Sequence, residues 1–264
     1  MAFIIDIRRG NLHEHLLYKS LFEISHDRVE FLSRLFSRKR PSGVSASSSI
    51  ADLFAAYDGV QPNEELFNAN LKAVMDHLTK THHFKLRDED PEGIEYVYRQ
   101  AFFNGGPYLN YSFGSAGGMG GMNSPTYEQL MAQSTDTNGE NRSFLSSEER
   151  FAYIKDFESR NLLVPIVGDF AGPKAIRGVG EYVRQHGGTV VAFYLSNVEQ
   201  YLQGDLWRRF CASVATLPLD ESSTYIFSGR GAPGSLYGGY SRGGGMGNSR
   251  TRPIQAEVAA CAAQ

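Results

Sequence analysis

Cysteine is scarce in this chain: Cys211 and Cys261 stand far apart in no metal-ligand spacing, the second in a stretch that reads as flexible, so no structural disulfide is expected. Long hydrophobic runs are missing too. The opening Met1-Ala2-Phe3-Ile4-Ile5-Asp6-Ile7-Arg8-Arg9 meets charge too soon for a secretory leader, and no later run reaches the length of a membrane span. A cytoplasmic setting without membrane contact is the expectation. Charge of one sign is also lacking: the formal net charge is −3 and the pI about 6.2, so nucleic acid is not an expected partner. No phosphate loop occurs. His13-Glu14-His15 departs from the H-E-x-x-H zinc helix, and His82-His83 reads as solvated, so no metal ligand is assigned.

What remains is a chain of 264 residues, 41% hydrophobic, with ample material for a core. Residues 2 to 7 form a β-branched and aromatic run without alternation, the pattern of a strand covered on both faces. Asn11 and Glu14 make a capping-box spacing before a helix with Leu12, Leu16, Leu17, Leu21 and Ile24; Asp27 and Glu30 repeat it. Residues 41 to 49 read as a surface loop. Helices starting near Ser49, Pro62 and Asp90 then make 50 to 104 all-helical, within an insertion spanning about 41 to 145. Residues 107 to 141 read as a long loop, disordered or acting as a lid.

The clearest unit comes next. A cap at Ser146 or Ser147 opens a helix through Arg160, followed by a strand over 162 to 167, a turn at Gly168 to Pro173, a helix from Lys174 to His186, and a strand over 189 to 195. A crossover of that length predicts parallel neighbouring strands. The expected fold is α/β: a Rossmann-like open, mainly parallel sheet with helices on both faces, one domain over 1 to 228, and a Gly-rich disordered tail over 229 to 264.

In such sheets ligands bind at the carboxyl ends of the strands. Those ends carry Asp6, Arg8 and Asn11 after the first strand, Asp169 after the second, and Asn197 after the third. Asp6, set among isoleucines, calls for a partner; ribose hydroxyls of a dinucleotide or S-adenosylmethionine and an ion pair with a nearby arginine serve equally. Asp169 suits ligand contact or helix capping, and Asn11 suits capping. Tyr108, Asn110 and Tyr111 could close over a planar ligand or pin the loop to the core.

Phe3 to Asn11, Phe31 to Phe36, Val167 to Lys174 and Phe193 to Leu202 together resemble an uncharacterised bacterial protein family, over most of residues 2 to 228. Its longer members carry an additional upstream strand ending in a glycine turn, similar to S-adenosylmethionine-dependent methyltransferases. The resemblance implies that Phe3 to Ile7 is the second strand of that domain, that Asp6 stands at the ribose position, and that this chain is truncated at its N-terminus. The expected function is binding of S-adenosylmethionine or another adenosine cofactor at Asp6, Arg8 and Asn11. Methyl transfer to an acceptor beside Asp169, Asn197, Tyr108, Asn110 and Tyr111 would follow. The alternative is a non-catalytic ligand- or protein-interaction module.

Overall fold

The computed structural model describes residues 1–110, 125–196, 198–227 and 250–262. In chain order they form β1 (Ala2–Asp6), α1 (Arg9–Ile24), α2 (Arg28–Leu35), α3 (Ile50–Ala56), α4 (Glu64–Asp76), α5 (Asp90–Val97), α6 (Glu148–Ser159), β2 (Leu163–Val167), α7 (Ala175–Gln185), β3 (Ala192–Ser196), α8 (Asp205–Val214), β4 (Thr224–Phe227), β5 (Arg250–Pro253) and α9 (Ile254–Ala262). The helices α4 and α5 run on into π-helical turns, His77–Thr81 and Tyr98–Phe103. The protein is mixed α/β and divides into two compact units, residues 1–2 with 9–165 and residues 3–8 with 166–264. No helix among the described residues is long and apolar enough to cross a membrane.

The first unit is a helical body. Polar residues stop each preceding loop where the sequence places them: Asp27, Ser49 and Ser147 accept from the N–H three residues on, and Asn63 does the same in front of α4. The capping expectation fails at Asn11, because α1 already begins at Arg9. Leu17, Leu21, Phe31, Phe54, Tyr98 and Phe151 share one core. The Phe22 ring stacks on Phe31 at 4.6 Å and on Phe151 at 5.3 Å. The supposed insertion is therefore continuous with α1, α2 and α6, since none of these helices could bury its apolar face without the others. Buried Arg28 ties in the loop at 41 to 49, donating to the carbonyls of Leu145, Ala46 and Ser48.

The strands fall into two sheets. β1 pairs with β2, while β4 runs parallel to β3 and antiparallel to β5. The expected β2–α7–β3 unit of neighbouring parallel strands is not what the hydrogen bonds show, for β2 is bonded to β1 and β3 to β4. Alternation accounts for part of this: Phe193 and Leu195 pack inward, whereas Tyr194 is 59% exposed, so β3 is covered on one face only.

Residues 229–249 and 263–264 of the expected tail lie outside the described residues. Over residues 250–262 the expectation of disorder is corrected. β5 pairs with β4 along Thr224 to Phe227, the Ile254 N–H donates to the Ser223 carbonyl at 2.9 Å, and Ile254 is fully buried. That return lays α9 against α8 and joins Cys261 to Cys211 in a disulfide, which corrects the expectation of free cysteines. Pairing with β4 supplies the burial that this segment cannot supply by itself.

Candidate functional site

A cavity of about 350 Å³ opens in the helical unit, within the range of small-molecule sites. One wall is the face of α1 presenting Leu12, Leu16 and Lys19, which recur at helical spacing. Leu86 and Phe84 come from the segment before α5, and Glu158, Leu163, Val164 and Pro165 from the end of α6 and the start of β2. The lining is chiefly apolar by area, and its charged groups include two clusters.

At the first, Asp90 opens α5 with its carboxylate 1% exposed. Arg9 grips it through both oxygens at 2.6 Å, His13 Nε2 stands 2.8 Å away, and the Arg87 N–H donates at 2.7 Å. The Arg9 hydrogen bonds outweigh burial and, with those from His13 and Arg87, hold this carboxyl far below the ordinary range. All of its acceptor capacity toward the protein is taken, so Asp90 fastens α1 to α5.

The second cluster is less complete. Lys19, 4% exposed, donates to Glu23 Oε1 at 2.6 Å and to the backbone carbonyl of Glu158. Glu23 Oε2 faces His77 Nε2 at 2.7 Å and His82 Nε2 at 2.6 Å. Burial would push the Glu23 carboxyl up, but the hydrogen bonds from Lys19, His82 and His77 prevail and lower it. An ionised carboxylate only accepts, so both imidazoles carry a proton on Nε2 in these contacts. Glu158 differs: it is 2% exposed and its Oε2 has no hydrogen-bond partner. Burial pushes this carboxyl up to about 7, opposed by the Lys19 charge and reinforced by Glu23.

The described residues that the sequence put forward for a site do not line this cavity. Asp6, Arg8 and Asp169 belong to the second unit, whereas Asn11, Tyr108 and Asn110 belong to the first. The Gly168 N–H donates to the Asp6 carbonyl at 2.9 Å, so β1 and β2 end side by side there. Asp6 Oδ1 accepts the Arg8 N–H at 2.7 Å, and its Oδ2 meets the Arg8 guanidinium at 3.3 Å. The Asp6 side chain is 22% exposed and has Arg8 as an ion-pair partner, one of the two alternatives that the sequence left open. Asp169 Oδ1 accepts the Ala171 N–H at 2.9 Å and closes its own turn rather than capping α7. Asn11 sits half-buried in the first turn of α1. The Tyr108 hydroxyl donates to Asp58 Oδ1 at 3.2 Å, and Asn110 makes an isolated bridge to Thr126. Asn197 and Tyr111 lie outside the described residues.

Sequence reasoning missed Glu23, His77, Glu158 and Asp90, and set His82 aside as solvated when its side chain is only 14% exposed. A signal existed for the histidines. His77 and His82 are five apart, a spacing that an α-helix splays but a π-turn aligns, and the His82 N–H donates to the His77 carbonyl at 3.0 Å across that turn. None of the curated proteins matches this chain. Residues 123–231 match the profile of a family described as a domain of unknown function, DUF7790.

Proposed function

We propose that the protein binds a small amphipathic molecule in the cavity of its helical unit, a molecule with an apolar body and one amine or hydroxyl donor. The observation that carries this is Glu158, a residue that lines the cavity and whose Oε2 is buried without a partner. An orphaned buried acceptor typically costs about 1–3 kcal/mol, and a ligand donor removes that cost. Leu12, Leu16, Leu86 and Val164 supply the apolar wall for the rest of the molecule. The test is thermal unfolding of the full chain with primary alkyl amines and alcohols of increasing chain length. Saturable stabilisation that grows with chain length and is lost in Glu158→Leu is expected; no stabilisation by any member of either series rejects the reading.

A second reading places S-adenosylmethionine, or another adenosine cofactor, at the strand ends of the second unit, with methyl transfer to an acceptor. Asp6 favours it, since it stands at the carboxyl end of β1 beside the Gly168 to Pro173 turn after β2. In this reading the strands belong to a Rossmann-like arrangement, and the ribose hydroxyls displace the Arg8 guanidinium from Asp6. Calorimetric titration with S-adenosylmethionine and S-adenosylhomocysteine tests it: binding that disappears in Asp6→Asn supports the cofactor, and no heat with either compound removes it.

A further inference from the structure

The Glu23, His77 and His82 cluster does more than pair charges. Its three donor atoms lie within 4.8 Å of one another, and the contributing side chains are 8%, 15% and 14% exposed. We infer that Glu23 Oε2, His77 Nε2 and His82 Nε2 form a binding site for a divalent transition-metal cation, beside the cavity that His82 also lines and with no need of the ligand proposed there.

Two imidazoles and one carboxylate are the donor set that zinc and ferrous sites use when they keep a coordination position open. The cation would take the place of the two Nε2 protons that now point at Glu23 Oε2, a neutral imidazole meeting this by carrying its proton on Nδ1 instead. A tetrahedral site with bonds of about 2.0–2.1 Å spaces its donors about 3.4 Å apart. The present 2.6 and 2.7 Å contacts must therefore open by roughly 0.7 Å each.

Two features of the surroundings suit the role. The other oxygen of Glu23 is held by Lys19 at 2.6 Å, which fixes the carboxylate in a single-oxygen pose toward the histidines. The π-turn over His77–Thr81 is the second. It aligns side chains five residues apart at the expense of regular α-helical geometry, and such turns gather at functional sites. A plain ion pair requires one histidine, not two brought onto the same carboxylate oxygen.

The test uses the full chain, stripped with a chelator and titrated with Co(II) and then Zn(II). One equivalent of Co(II) is expected, with the visible absorption of a low-coordinate site, displaced by Zn(II). His77→Gln and His82→Gln, each checked for wild-type circular dichroism, should weaken Co(II) at least about a hundred-fold, beyond the ten- to hundred-fold typical of outer-shell partners. His83→Asn, next in sequence but exposed, should bind as wild type does. A folded wild-type chain that takes up no stoichiometric cation, or folded glutamine variants that bind undiminished, would overturn the site. Should both variants fail to fold, the wild-type melting temperature decides: an increase saturating at one equivalent of Zn(II) sustains the inference, and no increase ends it.

Discussion

Glu158 and Asp90 show two fates for a buried carboxyl in one helical body. Asp90 is met by Arg9, His13 and Arg87 and keeps its charge far into acid. Glu158 lacks a partner on Oε2, and burial pushes it up to about 7 from an ordinary value of 4.5. Below that ordinary value both folded and unfolded chains carry the proton. As pH rises the unfolded chain releases it first, so the stabilisation present in acid is lost through pH 7. Glu158→Gln, which cannot ionise, should therefore gain on wild type by on the order of 2 kcal/mol between pH 5 and pH 8, read from urea unfolding at each pH. An advantage that does not change with pH would show that Glu158 is charged in the folded protein. Neither carboxyl was legible beforehand. Asp6 drew notice because apolar neighbours flank it in sequence, whereas Glu158 sits in Asp156-Phe157-Glu158-Ser159, which reads as a solvated helix end.

Among the elements, the α1–α5 packing depends on a missing side chain. A Cβ at Gly93 would lie 2.1 Å from His13 Cε1, so the imidazole rests directly on the α5 backbone. Helix propensity alone predicts that Gly93→Ala stabilises by about 1 kcal/mol. Displacing His13 from Asp90 predicts a loss of about 1–3 kcal/mol. The loss should win, and a lower urea midpoint checks it; a higher midpoint would mean that His13 can move aside at little cost. Helix starts at Asp27, Ser49 and Ser147 were readable because a cap is local chemistry. The π-turn at His77–Thr81 was not, since it depends on what the helix packs against.

For the molecule as a whole, the disulfide between α8 and α9 matters most. It closes a sequence separation of 50 residues, and a loop of that size is worth roughly 2–4 kcal/mol through the unfolded state. Trp207, the only tryptophan of the chain, lies on α8 in the second unit, so its fluorescence reports that unit. Cys261→Ser, or reduction of the wild type, should lower the stability read from Trp207 by that amount. An unchanged Trp207 transition would show that α9 is held by β5 and Ile254 without help from the bond.

Sequence by itself determined the caps at Asp27, Ser49 and Ser147, the apolar faces of the helices, and strands read at 2 to 7, 162 to 167 and 189 to 195, which the structure places at Ala2–Asp6, Leu163–Val167 and Ala192–Ser196. Each of these rests on residues a few positions apart, where sterics and hydrogen bonding act locally. Tertiary structure alone decided that β2 pairs with β1 and β3 with β4, and that residues 250–262 return to β4. It also decided that Glu23, separated from His77 by 54 positions, meets both histidines. Those outcomes depend on which apolar surfaces find each other across the chain, and pairing across such distances leaves no periodic mark in the sequence.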